Sequence, residues 1–321
     1  MSSEITATNS KSSILITGAT GTIGKHLLKA LSEQKSFGQS VKVLVRNVEK
    51  AKQELVNYVN NLDVEYVQGD LNQLELIPSS TFEKIERVFV LTLSAPNQPK
   101  VEEQLIDKIL QYSKYDLKQV IRLSGLGAST TIESNSLFRY HGDSEVVIGN
   151  LLSNKAPNVS YVILRPNLFM QNFLRDDIHS IKNSSQFFKP RNDHGVPYHI
   201  SHVDVRDIAD MAAQILTENP NIHGGQVYNI TGPQSLNYDQ VAEIISKVIG
   251  RQITWARIDE IELANQLGQL PKFLVFGLVR LFQFYKLNGT SANVHADFEI
   301  VTGKKPRSLE QFIQENKHHF E

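Results

Sequence analysis

Residues 14–31 read ILITGATGTIGKHLLKAL, and this stretch decides the fold. Together with Ser13, its first residues make the continuous apolar run SILIT, as expected of a strand buried on both faces. Residues 22–34 then place Ile23, Leu27, Leu28 and Leu31 on one helical face. Gly18, Gly21 and Gly24 fall at the turn between strand and helix. One glycine permits the tight turn, another lets the backbone approach a pyrophosphate, and the last allows helix and strand to pack closely. The helix N-terminus presents free N–H groups and a positive dipole end to that anion. Thr20 and Thr22 add hydroxyl donors, and Ile23 completes the candidate set. The spacing is GxxGxxG rather than GxGxxG, so the context of strand before and helix after separates a dinucleotide site from a plain turn. No Gly-Lys-Ser/Thr ending makes this a Walker loop.

Working outward, short apolar runs alternate with amphipathic ones. Strands are expected at 41–46, 64–68, 87–93, 119–124 and 161–165, with helices at 48–59, 101–115 and 137–152. This alternation means βαβ units and a parallel sheet. The order then loosens: 167–185 reads as irregular or helical and 189–199 as a loop. Residues 204–217 form a clear helix, 226–231 a strand and 238–249 a helix, with helices dominating after Arg251. The expected architecture is α/β, a Rossmann-type doubly wound parallel sheet with a smaller, mostly helical C-terminal lobe. Residues 12–165 make the nucleotide lobe and 166–321 the substrate lobe, with 202–231 returning to the sheet. Residues 1–11 are expected to be a loose tail.

Composition narrows the function classes. The 321 residues suggest roughly two domains or one large α/β unit at about 150 residues per domain. Lys and Arg total 33 against 34 Asp and Glu, so a net charge of −1 gives no general pull on nucleic acid or anionic membrane. No cysteine is present, which removes disulfides, thiolate metal sites and a cysteine nucleophile. The polar N-terminus lacks a signal-peptide core. The apolar stretch 271–289 is interrupted by Lys272, Arg280, Gln283 and Lys286 and reads as a buried or pocket-lining helix. A cytoplasmic protein with a small-molecule substrate, monomeric or homodimeric, is expected.

The end of the second strand separates the two nicotinamide cofactors. An acidic residue there holds a ribose 2′-OH, and an arginine holds a 2′-phosphate. The sequence is VLVRNVEKAK, with Arg46 in that place and Lys50 one helical turn later, an arrangement in which both can converge on one phosphate. NADP(H) is favoured over NAD(H), the competing reading being two solvated surface charges. Asp70 and Leu71 follow the third strand, where an adenine would lie; Asp70 either accepts from the adenine amino group or caps the turn.

On these residues the chain resembles the NmrA-like family of atypical short-chain dehydrogenases/reductases. The resemblance spans about Ser13 to Phe320. It rests on TGATGTIG, VLVRN, VQGDL, LSGLGAS (123–129), LRPNLFMQNF (164–173), HVDVRDIAD (202–210), YNITGPQSLNYDQVAEIISKVIGR (228–251) and the C-terminal FEIVTGKKPRSLEQFIQEN. It implies a Rossmann fold with the nicotinamide near the ends of strands four, five and six. Leu91, Thr92, Leu93, Ser124, Gly125, Pro166 and Asn167 would then line the cofactor. Such proteins include NADPH-dependent quinone and azo reductases, reductases of the festuclavine synthase type, and regulators that bind the dinucleotide without turnover.

The Tyr-x-x-x-Lys pair of typical short-chain dehydrogenases is missing. The sequence is LFRYHGDSEVVI, with Ser144 four residues after Tyr140. Without an ammonium nearby, Tyr140 keeps about its free pKa of ~10 and shuttles protons poorly. Hydride transfer still works for acceptors that stabilise the incoming electron pair, such as quinones, azo bonds, iminium ions and conjugated enones. His141 is the candidate proton donor near its ordinary pKa of ~6.5, with Glu145 at i+4 as its partner. The competing reading is a helix-surface pair. Ser124 is either a remnant serine orienting a substrate oxygen or a turn serine. The expected function is an NADPH-dependent oxidoreductase for a quinone-like or other conjugated electrophile. Alternatives are an NADP(H)-sensing regulator without turnover and a secondary-metabolism iminium or enone reductase. No metal site is expected. Asp204 reads as a helix N-cap with Asp207 in the first turn.

Overall fold

A computed structural model describes residues 12–34, 38–134, 136–192 and 197–321. The expected tail at 1–11 and the middle of the expected loop at 189–199 lie outside the described residues.

The first half alternates as its sequence pattern demands: β1 (Ser13–Thr17), α1 (Thr22–Ser32), β2 (Ser40–Val45), α2 (Val48–Leu55), β3 (Asp63–Gln68), β4 (Ile85–Val90), α3 (Gln98–Ser113), β5 (Gln119–Leu123), α4 (Leu137–Lys155) and β6 (Ser160–Pro166). Next come α5 (Ile178–Ser184), β7 (Gln186–Pro190), α6 (Val205–Thr217), α7 (Pro220–His223) and β8 (Val227–Ile230). The remainder holds α8 (Tyr238–Ile249), β9 (Thr254–Ile258), α9 (Glu260–Gln266), α10 (Lys272–Asn288), α11 (Asp297–Thr302), α12 (Leu309–Glu315) and α13 (Lys317–Phe320).

Seven strands form one sheet in the order β3-β2-β1-β4-β5-β6-β8. Every pairing in it is parallel, for example Ile14↔Val41 and Val88↔Val120. Because side chains alternate along a strand, the buried run of β1 serves two cores. Ile14 and Ile16 join the face covered by α1 and α6, while Leu15 joins the face covered by α3 and α4. The strand order reverses at β1/β4, the switch point where doubly wound folds bind ligands beyond the strand C-termini.

The structure adds strands to the sequence reading in the second half and shortens one in the first. Residues 186–190 and 254–258 are strands rather than loop and helix, pairing with each other in a separate parallel sheet. Each is too short for a period to show, and their partnership spans many residues. Residues 173–177 form one π-helical turn leading into α5. Strand β4 stops at Val90 rather than Leu93, which releases 91–97 as a loop at the edge of the sheet. Helix α10 packs on the start of α4, where Phe284 stacks 4.5 Å from Phe138 and Gly277 fits against Leu137. No helix among the described residues is long and apolar enough to cross a membrane.

Candidate active site

The glycine turn joins β1 to α1. Gly18 takes φ +65°, a left-handed conformation that disfavours side chains, and a Cβ there would meet Leu91 at 2.8 Å. A Cβ on Gly24 would stand 2.3 Å from the Gly18 carbonyl oxygen. The turn is pinned to β4 by Thr17, whose hydroxyl donates to the Leu91 carbonyl at 3.0 Å and accepts from the Leu91 N–H at 2.8 Å. Gly21 is the N-cap of α1; no side chain caps the helix and its first turn carries no acidic residue. Among the described residues, the donors and positive end of α1 thus meet no capping side chain and no acidic residue of the helix's first turn, as an exogenous phosphate requires. Thr20 is half-buried and Thr22 exposed at this turn, whereas the Ile23 side chain is buried in the core.

Beside the turn, a cleft of about 360 Å³ opens at the ends of β2 and β3, lined by Arg46, Gln68, Gly69, Asp70, Gln73, Leu76 and Ile77. Arg46 is exposed over it, with no carboxylate paired to it among the described residues. The expected clamp of Arg46 and Lys50 is not preformed: the exposed Lys50 ammonium lies 3.7 Å from Glu54. Asp70 caps the following 3₁₀ turn, accepting from the Asn72 backbone at 2.9 Å, and Leu71 packs toward the core. The residues present fit a dinucleotide: backbone donors for the diphosphate and an unpaired guanidinium for a further charge.

The far end of the edge is built from side chains. Arg122 on β5 and Glu102 on α3 are both fully buried and form an ion pair at 2.7 Å. The same Glu102 carboxylate accepts from the Thr92 hydroxyl, and from the Gln98 amide at 3.1 Å. Arg122 Nη2 lies 3.1 Å from His141 Nδ1, and His141 Nε2 lies 2.9 Å from Ser94 Oγ. Glu145 turns the other way. It accepts from the Ser124 hydroxyl and from Arg165, whose Nε donates at 2.9 Å.

These contacts correct the expected His141–Glu145 pair. Each partner is held by a different arginine, so neither the relay nor the helix-surface pair forms. Burial, then the Arg122 charge, holds the His141 pKa well below its ordinary 6.5, which weakens the case for an imidazolium proton donor. Burial raises the Tyr140 pKa, making the phenol a still poorer shuttle than the sequence suggested. Ser144, in the place of the missing lysine, is fully buried. The Asn167 side chain is also committed. It donates to Ser201 Oγ and the Ser291 carbonyl, both at 2.9 Å, and accepts from the Leu168 N–H. It thereby staples the segment after β6 in place beside buried Pro166. Leu91 flanks the glycine turn and Leu93 is exposed in the following loop.

Sequence reasoning missed Arg122, Glu102, Ser94 and Arg165. Two of them left a signal. Glu102 sits on the same helical stripe as Leu105 and Ile109, and Arg122 interrupts the apolar strand QVIRL. Charges at buried positions in separate elements imply a partner.

A family model described as the NmrA-like family matches residues 10–313. The chain belongs to the NmrA-like family. It is 31% identical over 310 residues to the NAD(P)H azoreductase of Xenophilus azovorans, spanning 94% of this chain and 96% of that one. The NADPH-dependent quinone oxidoreductase of Escherichia coli, solved with NADPH, shares the fold with a TM-score of 0.77 and 20% identity, covering 95% of this chain and 99% of that one. NmrA, a negative transcriptional regulator, shares the fold at a TM-score of 0.70 and 16% identity, covering 95% of each chain.

Proposed function

We propose that this protein is an NADPH-dependent oxidoreductase whose acceptor is a conjugated electrophile such as a quinone or an azo compound. The observation that carries the reading is the state of the β5–α4 edge. Ser144 stands where a lysine would lower the Tyr140 pKa, burial raises that pKa, and burial with the Arg122 charge holds that of His141 well below its ordinary value. An alcohol–ketone reaction needs a strong proton shuttle at the reacting oxygen, whereas a conjugated acceptor spreads the incoming electron pair over its own π-system. The near full-length likeness to an azoreductase supports the same acceptor class.

The chain's own residues supply binding and orientation. The uncapped N-terminus of α1 holds the diphosphate, and Arg46 holds the 2′-phosphate over the cleft. NADPH, when bound, supplies hydride. The Glu102–Arg122 and Glu145–Arg165 pairs fix the wall beside the reacting centre.

Following NADPH absorbance against a panel of quinones, azo dyes and enals tests this. Consumption with at least one acceptor, and preference for NADPH over NADH, is the expected outcome. Calorimetric NADPH binding without consumption by any acceptor would replace this reading with a dinucleotide-sensing regulator; NmrA, of the same fold, is a negative transcriptional regulator.

A further inference from the structure

The bonding around His141 has one solution. A guanidinium carries only donors, so His141 Nδ1, 3.1 Å from Arg122 Nη2, must be the acceptor. The proton of the neutral imidazole is therefore on Nε2, and Nε2–H donates to Ser94 Oγ at 2.9 Å. Arg122 itself cannot turn away, because its Nε is held by Glu102 at 2.7 Å inside the core. Ser94 has one proton. With its oxygen accepting from His141, that proton is free to be donated elsewhere, and no acceptor for it stands among the described residues.

The location gives this donor a use. Ser94 is half-buried in the loop between β4 and α3, at the C-terminal edge of the sheet. The His141 ring lies over Gly125, where a Cβ would stand 3.5 Å from its Cδ2. Gly125 directly follows Ser124, just past the end of β5. Ser124 cannot serve the same purpose with its proton, which goes to Glu145.

Resting on the oxidoreductase reading, we propose that Ser94 is the hydrogen-bond donor to the acceptor's heteroatom as negative charge gathers there, and that His141 is its positioning residue. No bond to hydrogen breaks at Ser94. The acceptor gains hydride from NADPH, which is left as NADP+, and the single proton that completes the reduction comes from water. The Arg122–Glu102 pair fixes the tautomer, and the tautomer fixes the direction of the Ser94 hydroxyl.

Burial and the Arg122 guanidinium both disfavour a charged ring, and the other groups nearby are spent elsewhere. Arg122 faces it from β5, with Glu102 of α3 spent on Arg122. Glu145 on the same helix is spent on Ser124 and Arg165. Tyr161 of β6 donates to the Glu145 carbonyl oxygen at 3.4 Å. Tyr285 of α10 packs on Phe138, 6.2 Å between ring centroids. A second proton on His141 would set an N–H against a guanidinium N–H.

Nitrogen-15 NMR of histidine-labelled protein reads the tautomer without cofactor or acceptor. The expected result is a His141 ring that stays neutral, protonated on Nε2, from about pH 5.5 to 8. A ring that titrates near its ordinary ~6.5, or that carries its proton on Nδ1, overturns the proposal. In turnover, Ser94→Ala is expected to lower kcat with para-benzoquinone about 100-fold, with the NADPH Kd changed by no more than about twofold. Ser94→Thr, which keeps the hydroxyl, is expected to recover activity to within about tenfold of the parent. An active parent whose Ser94→Ala variant matches it sinks this assignment and leaves the oxidoreductase reading standing. A parent that consumes no NADPH with any acceptor sinks that reading, and the role of Ser94 with it, whatever tautomer the NMR shows.

Discussion

The β1–α1 turn and the β5–α4 edge lie at the same rim of one sheet, yet they are made of different materials. At the turn, backbone provides the chemistry: helix N–H groups, a left-handed Gly18 and a Gly24 with no room for a side chain. At the edge, the chemistry is in side chains: two arginines, two glutamates, a histidine and two serines, each bonded to a partner from another element. A backbone site is written locally in sequence, in residues a few positions apart. A side-chain network is written in residues such as Ser94, Glu102, Arg122, His141 and Arg165, which only the finished fold brings together.

The contrast can be broken first where charge is buried. Arg122→Met leaves Glu102 uncompensated in the core and is expected to cost about 3–5 kcal/mol of stability in chemical denaturation, whereas replacing both partners by apolar residues should restore most of it. A single variant as stable as the parent would show that the pair does not hold this edge. Next comes the turn. Gly24→Ala drives a Cβ into the Gly18 carbonyl and should cost about 3 kcal/mol by the same measurement. An unchanged melting curve would mean that helix and strand can separate freely. The smallest effects sharpen the comparison along β2. Arg46→Ala should lose about 1.5 kcal/mol of NADPH binding, roughly tenfold in Kd, with NADH affinity unchanged. Lys50→Ala, whose ammonium sits on Glu54 in solvent, should leave both affinities where they were. Equal losses for the two variants would restore the shared phosphate clamp that the sequence suggested.

The large sheet was legible because its strands are buried on both faces and its helices are amphipathic, so each announces itself locally. The position of Arg46 was legible from the end of the second strand, and the structure sets it over the cleft at the ends of β2 and β3. The small β7–β9 sheet was not, since QFFKP and TWARI acquire strand character only by pairing across many residues. His141 was found as a candidate and given the wrong partner. Helix spacing points it to Glu145, and nothing local says that a strand residue, Arg122, reaches its Nδ1 first. Asn167 was likewise placed correctly, at the end of β6, but its amide is used in joining loops. Asp204 behaved as its sequence position implies, accepting from the Arg206 N–H at the start of α6.

The path of the chain between the lobes has a consequence of its own. After β6 the polypeptide leaves for the small lobe, comes back as α6 and β8 to finish the sheet, and departs again with α8. It then returns once more as α11 against α6 and β8, before α12 docks on α8. Neither half is therefore a severable module. A gene cut after Arg165 would strip β6 of its outer neighbour and unroof the α6 side of the sheet, exposing Ile121, Val162 and Leu164 to water. Swapping substrate lobes between relatives must accordingly be done as interleaved segments, with the return elements kept beside their native sheet.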